Sequence, residues 1–287
     1  MSRSAQPAQL VEGHLPNLVV IGAMKCGTTS LYEYLSSHPA ITMSKVKEIE
    51  FFSRHFNRGE DWYRAHFPRP ARIRGEASTG YTKYPNYTGV PQRMHALVPD
   101  AKLIYLVRDP IERSVSHYLH ERTRGREARP AAQALTDPND NQYLAYSRYH
   151  MQLEQFLRFY SPESVLILVT RDLRHSRRAT LDQIAEFLAI EGAFREDALR
   201  QLHNQSAGRR VKTRLGAWLL GTGIADKLYR LLPASVWEHG KALTQARIPT
   251  PRPSLDDTVR DSLASTLRPD VEALRSLTGK RFAHWQL

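Results

Sequence analysis

Residues 22–30, GAMKCGTTS, place two glycines, a lysine and three hydroxyl side chains within nine positions. They follow an apolar run and precede a helical pattern. Helix N-termini present unpaired N–H groups and a partial positive charge, so this arrangement suits a phosphate. Gly22 and Gly27 permit a tight turn and close backbone approach. Gly27, Thr28, Thr29 and Ser30 would open the helix with amides and hydroxyls. The lysine departs from the ATP-binding pattern GxxxxGK[ST], in which it follows the second glycine. Here Thr28 follows Gly27, and Lys25 lies inside the loop. Its ammonium is expected over a different atom than the β- and γ-phosphates of ATP. Cys26 shares the loop. A helix N-terminus lowers a thiol pKa, so a nucleophilic or redox role is the minor alternative to a small loop residue.

A second constellation is YLVRDPIERSVSHY, residues 105–118. A strand delivers Arg108 to its C-terminal end. Asp109 can cap the next helix, Pro110 suits its first position, and Glu112 completes a box-like start. Ser116 lies about two turns along, with Arg113 between. An arginine at the strand end and a hydroxyl on the helix can grip a phosphate from two sides. Asp109, or Asp172 after VLILVT, can also be read as a magnesium ligand of a nucleoside-triphosphate enzyme.

The segment IGAMKCGTTSLYEYLSSHP resembles the 5′-phosphosulfate loop of sulfotransferases that use 3′-phosphoadenosine 5′-phosphosulfate (PAPS), in particular the heparan-sulfate-type and related bacterial enzymes. RDPIERSVSHY is similar to the family's 3′-phosphate motif, R-x-P-x-x-R-x-x-S-x-Y. The resemblance implies that residues 25–30 hold the 5′ end of the donor, Cys26 among them, and that Arg108 and Ser116 bind its 3′-phosphate. It also implies that Lys25 stabilises the transferred sulfuryl group and the bridging oxygen, and that no metal is required.

Sulfuryl transfer to a hydroxyl needs a base for the acceptor proton, a cation at the leaving phosphate and reactants in line. SKVKEIEFFSRHF, residues 44–56, offers Glu48 and Glu50, which on a strand would share a face. Chemistry alone does not choose between them. The family pattern K-E-x-x-F-F aligns onto Lys47 to Phe52 and implies Glu48 as base. His38, His55, His66 and His117 read as structural or surface residues, with His55 the alternative base.

Two segments match more loosely. RGEASTGYTKYP, residues 74–85, resembles a strand-end segment in which heparan-sulfate enzymes carry a lysine after the glutamate. Here that residue is Ala77, and Lys83 is the nearby alternative cation. HNQSAGRRVK, residues 203–212, lies where the family has a basic glycine loop over the nucleotide, which implies donor contacts from Gly208, Arg209 and Arg210.

These motifs need a scaffold. Leu18–Ile21, Arg72–Glu76, Lys102–Val107 and Val165–Thr170 read as strands. Their consecutive apolar residues predict cover on both faces, hence a parallel sheet. Helical stripes run through Leu31, Tyr34 and Leu35; Ile111, Val115, Tyr118 and Leu119; Leu153, Phe156, Leu157 and Tyr160; Leu181, Ile184, Ala185 and Leu188; and Leu263, Leu267, Val271 and Leu274. They read as core-facing. Ser254 and Asp257 resemble a capping box for the last helix. The expected fold is α/β, a P-loop-like three-layer domain with a central parallel sheet flanked by helices. It would span residues 17–287 behind a flexible leader, 1–16, with a helical C-terminal part from about 200.

The chain has 287 residues, 41 % of them hydrophobic, and a formal net charge of +12. No apolar run reaches the length of a bilayer span. One cysteine excludes an internal disulfide framework and fits a reducing cytoplasm. The basic balance favours an anionic ligand. Basic residues cluster at 198–225 and 120–130, and the second cluster has no interleaved aromatics of the kind a single-strand platform uses. No nucleic-acid partner is expected. Trp218, Leu219 and Leu220 read as core, with membrane-surface contact the minor alternative. The expectation is a PAPS-dependent sulfotransferase acting on a small-molecule or glycan acceptor, at a hydroxyl or an amine. The competing classes are a P-loop kinase or NTPase and a basic anion- or nucleic-acid-binding module.

Overall fold

A strand whose every side chain is apolar needs cover on both faces. Leu18–Gly22 (β1) has that composition, and all five residues are buried. The computed structural model describes residues 13–67, 70–139, 141–195 and 253–287. Within it β1 is the centre of a five-stranded sheet of order β2-β3-β1-β4-β5. The other strands are Ile41–Met43 (β2), Ile73–Ala77 (β3), Lys102–Val107 (β4) and Val165–Val169 (β5). Every pairing is parallel; Leu18 faces Gly75 on one side and Lys102 on the other. The expected strands form within a residue or two of their predicted bounds, and the sheet is parallel as expected.

Helices cross between the strands. Thr28–Ser36 (α1) follows β1, and Glu60–Arg64 (α2) lies between β2 and β3. Val90–Leu97 (α3) leads to β4 and Pro110–Thr123 (α4) follows it. Ala131–Thr136 (α5), Gln142–Ala145 (α6) and Tyr149–Leu157 (α7) lead to β5. Thr170–His175 (α8) and Arg177–Phe187 (α9) come after it. Asp257–Thr278 (α10) is the last. The helical stripes face the core: Leu31, Leu35, Leu153, Phe156, Leu181, Ile184, Leu267 and Leu274 are all buried. A smaller apolar cluster of Ile111, Val115, Tyr118, Leu135, Leu263 and Leu267 joins α4 to α5 and α10.

Local differences have physical causes. Helix α10 is capped by Asp256, whose side chain accepts from the Val259 amide at 2.8 Å; Ser254 and Asp257 do not form the predicted box. Residues 13–16, placed in the leader by sequence, are tied to the fold. The His14 amide donates to Phe67 O, and Arg74 Nε donates to Leu15 O. In α10, Asp270 accepts from the amides of His150 and Met151 at 3.0 and 2.8 Å, capping the first turn of α7. No helix among the described residues is long and apolar enough to cross a membrane.

Candidate active site

In a parallel sheet every strand ends on the same edge, and ligands gather there where the connections diverge. After β1 the chain moves to β2 and β3; after β4 it moves the other way, to β5. The divergence therefore lies between β1 and β4. The residues 22–30 loop leaves β1 and Arg108 leaves β4, so the sheet order alone brings the two segments expected to bind phosphate together. The segments after β2 and β3, with Glu48 and Lys83, lie on the opposite side of the loop.

The loop is an open helix start. Gly27, at φ 96°, is the N-cap of α1; no side chain caps the helix, and its first turn holds no acid. The first amides of α1 have no intrahelical acceptor. Gly22 is required by close approach, because an added Cβ would sit 2.0 Å from Thr82 Oγ1. The Thr82 hydroxyl donates to Ile21 O at 3.1 Å. Lys25 adopts a left-handed φ of 71°, uncommon for a residue with a side chain. Its carbonyl accepts from Arg108 Nη1 at 3.4 Å, so the two motifs are in direct contact. Thr28 is buried, Thr29 exposed and Ser30 intermediate.

Cys26 is the small loop residue of the leading expectation and not the reactive thiol of the alternative. Its amide donates to Ala23 O, its carbonyl accepts from the Thr170 hydroxyl, and its thiol is buried 3.6 Å from Tyr149 Oη. Burial pushes the thiol pKa up, the reverse of an activated nucleophile. Cys26 therefore faces the core and not the mouth of the loop.

At the second motif, Asp109 caps α4 as predicted, accepting from the Glu112 amide at 2.8 Å. The Glu112 carboxylate pairs with Arg108 at 3.1 Å. Ser116 lies one turn beyond Glu112 on the same face of α4. Arg113 is fully buried and ties α4 to Ser147 Oγ and Tyr143 O. Beyond Arg108 opens a cavity of about 500 Å³, lined on the sheet side by Thr170, Arg171 and Arg174 and on the other by Lys280, Arg281 and Trp285. Gly208, Arg209 and Arg210 lie outside the described residues.

Glu48 and Glu50 do not share a strand face. Both take left-handed backbone, φ 62° and 55°, so the chain turns between them. Glu50 points inward and is buried. Glu48 points outward, its side chain 42 % exposed, with Oε1 2.6 Å from Lys47 Nζ. The Thr79 hydroxyl donates to its Oε2 at 3.3 Å. Burial acts to raise the Glu48 pKa, but Lys47, then Lys83 and Thr79, outweigh it and hold the carboxyl below the usual glutamate range. Lys83 is shifted down by burial, with Glu50 and Glu48 acting against that shift. His117 is buried, its pKa pushed down to about 2 by desolvation and by Arg113, Lys83, His120 and Lys25. It is neutral, chiefly because it is buried, with the nearby cations adding to the effect. His38 is buried, accepting from the Ala40 amide, and His66 meets Trp62 O.

The sulfotransferase domain family matches residues 15–214, more than half of the chain. The chain belongs to this family. A mouse relative described as bifunctional heparan sulfate N-deacetylase/N-sulfotransferase 4 is 30 % identical over 202 residues, covering 62 % of this chain and 22 % of its own length. The membrane-associated sulfotransferase kil1 of Dictyostelium discoideum is 42 % identical over 116 residues, 38 % of this chain and 24 % of that protein. The chain thus spans about a quarter or less of these relatives. A sulfotransferase structure from Alicyclobacillus acidocaldarius superposes with a TM-score of 0.68 at 23 % identity, covering 96 % of this chain and all of that one. The α/β architecture is thus that of a sulfotransferase. The cavity wall at Lys280–Trp285 and the cations Arg171 and Arg174 were missed by the sequence reading, because they belong to none of its motifs.

Proposed function

We propose that the chain transfers a sulfuryl group from PAPS to an acceptor hydroxyl or amine and releases 3′,5′-ADP. The observation that carries this reading is a sequence of groups across one sheet edge: Glu48 beyond β2, Lys25 in the β1 loop and Arg108 at the end of β4. A base, an electrophilic cation and a phosphate anchor follow one another in the order that an acceptor, a sulfuryl group and a nucleotide require.

The amides and hydroxyls of Gly27, Thr28, Thr29 and Ser30 hold the 5′-phosphate at the open start of α1. Arg108 and Ser116 take the 3′-phosphate, and the cavity beyond Arg108 receives the adenosine. Glu48, ionised at neutral pH, removes the acceptor proton as the acceptor oxygen or nitrogen bonds to sulfur. Lys25 neutralises charge growing on the bridging oxygen as the bond from sulfur to that oxygen breaks. The lysine and amides supply this neutralisation without a metal. The acceptor is a small molecule or a glycan, approaching from the β2–β3 side. Ala77 in place of a lysine aligns this site with the bacterial branch of the family. The single cysteine, buried and unpaired, fits a cytoplasmic location.

Two observations weigh against the competing classes. Asp109 has its carboxylate oxygens on the amides of Glu112 and Gln286, which leaves it a poor magnesium ligand. Part of the basic segment 120–130 is paired internally: Arg126 with Glu121, and Arg129 with Glu127 and Asp137. Calorimetric titration with 3′,5′-ADP and with ATP, each with and without magnesium, tests the reading. Metal-independent binding of 3′,5′-ADP with little response to ATP is expected. Magnesium-dependent ATP binding with no 3′-phosphate preference would overturn it.

A further inference from the structure

Glu76 has no place in the chemistry above, yet it is a carboxyl with no exposed surface, at the end of β3 beneath the Glu48 loop. A buried carboxylate is costly unless its lone pairs are filled. Here Tyr63 and Tyr81 hydroxyls donate to Oε1 at 2.5 and 2.8 Å, and the Ser78 hydroxyl donates to Oε2 at 2.7 Å. Ser78 Oγ in turn accepts the Glu50 amide at 3.0 Å. Glu50 is fixed again by its carboxylate, which receives the Gly80 amide at 2.9 Å and the Ser53 hydroxyl at 2.5 Å. The Glu48 amide donates to Ala77 O at 2.9 Å. Residues 48–50, bent through two left-handed positions, are therefore pinned to residues 76–80 at each step.

We propose that Glu76 and Ser78 are positioning residues for Glu48: the relay Glu76–Ser78–Glu50 amide holds the strained 48–50 turn in the one geometry that turns Glu48 toward the acceptor. This inference rests on the reading of Glu48 as the base. Left-handed backbone at non-glycine residues persists only where surrounding structure over-determines it. The relay supplies that constraint, and it depends on charge. An ionised Glu76 accepts from all three hydroxyls, whereas a protonated Oε2 becomes a donor and leaves the Ser78 hydroxyl without its acceptor. Desolvation raises the Glu76 pKa to about 7, against the Tyr63, Ser78 and Tyr81 hydrogen bonds and with the Glu50 charge. The groups facing it are Tyr63 from α2, Ser78 and Tyr81 from its own segment, and Glu50 from the base loop. The relay is thus complete above neutrality and loosens below it.

The test measures transfer of labelled sulfate from PAPS to glycosides, phenols, alkyl alcohols and water between pH 5 and 9, for the wild type, Ser78→Ala and Glu76→Gln. Binding of 3′,5′-ADP is measured in parallel. The wild-type kcat should show a partial fall centred near pH 7. Ser78→Ala should lower kcat at pH 8 about tenfold or more, remove that inflection and leave the 3′,5′-ADP Kd within about twofold, as expected for an interaction felt only at the reacting centre. In Glu76→Gln the same inflection should be absent. Wild-type folding stability should also fall as pH rises from the unfolded carboxylate range through 7, since a raised carboxyl pKa favours the protonated folded state. Glu76→Gln should lose that slope, a readout independent of catalysis. An active wild type with no inflection between pH 6 and 8, or a folded Ser78→Ala with wild-type kcat, would overturn the inference alone. Absence of PAPS-dependent transfer in the wild type would remove the reading and the inference together.

Discussion

Asp109 and Gln286, 177 positions apart, meet at the edge of the cavity beyond Arg108: the Gln286 amide donates to Asp109 Oδ2 at 2.7 Å. Asp109 Oδ1 caps α4 at the same time. One aspartate therefore sets both the start of the helix that carries Ser116 and the position of the C-terminal wall of the cavity. Removing an N-cap costs about 1 kcal/mol, and a hydrogen bond of this kind about as much again. Asp109→Ala should lower stability by about 2 kcal/mol, several degrees in Tm, and weaken 3′,5′-ADP binding. Asp109→Asn keeps a capping oxygen and should lose less. Thermal melts with and without 3′,5′-ADP check the order. An Asp109→Asn variant that instead lost all magnesium-dependent nucleotide turnover would mark it as a metal ligand.

Arg108 reaches both the Lys25 carbonyl and the Glu112 carboxylate. In the proposed complex it exchanges part of this network for a 3′-phosphate. Hydrogen bonds to charged groups contribute about 1.5–3 kcal/mol. Arg108→Ala should therefore weaken 3′,5′-ADP by about 10- to 100-fold and 5′-AMP far less. Equal losses for both nucleotides would remove Arg108 from the 3′ site.

Glu48 is the outward-facing member of its pair, and a positioned general base contributes about 10²–10⁴ in rate. Glu48→Gln should lower kcat by that range and leave the 3′,5′-ADP Kd nearly unchanged, because the proposed nucleotide contacts come from the β1 and β4 ends and not from the Glu48 loop. Single-turnover transfer at the wild-type rate would show that another group takes the proton.

Much of this was legible in sequence because it is encoded locally. Consecutive apolar residues in KLIYLV and LVVIG predict doubly covered strands, and the loop and the RDP motif carry their own caps and turns. What stayed hidden depends on backbone sign and long-range packing. Residue chemistry did not separate Glu48 from Glu50, and only the family resemblance pointed to Glu48, because the left-handed backbone that turns the two apart falls on residues that are not glycines. The resemblance placed Cys26 among the donor-binding residues, whereas its thiol faces Tyr149, more than a hundred positions away. The surroundings of Glu76 were likewise hidden, since Tyr63, 13 positions before it, closes around it together with Ser78 and Tyr81.

The acid limb of kcat/KM tests the local field at Glu48. The base must be ionised, so activity falls as pH drops through its pKa. Lys47, Lys83 and Thr79 hold that pKa below the usual glutamate range against the effect of burial. The final fall of the profile should thus lie below the ordinary glutamate range, separate from the partial step near neutrality. Lys47→Met removes the nearest cation, lets burial dominate and should move this limb to higher pH. A limb unmoved by Lys47→Met would mean that the Lys47 pair does not persist in solution.

Gly80 offers a separate handle on the base loop. An added Cβ there would stand 1.6 Å from Glu50 Oε2, so Gly80→Ala must displace the Glu50 carboxylate from the 78–80 turn. The Gly80 amide then loses its acceptor, and a buried unsatisfied donor costs about 1–3 kcal/mol. Glu48, two residues away, loses part of its support, while the β1 loop and Arg108 are untouched. Gly80→Ala should therefore lower kcat about tenfold or more, with 3′,5′-ADP affinity within about twofold of wild type, as removal of an interaction made only at the reacting centre requires. Nucleotide titration alongside single-turnover transfer checks the split. A parallel loss of nucleotide affinity would show that the 78–80 turn supports the whole site and not the base alone.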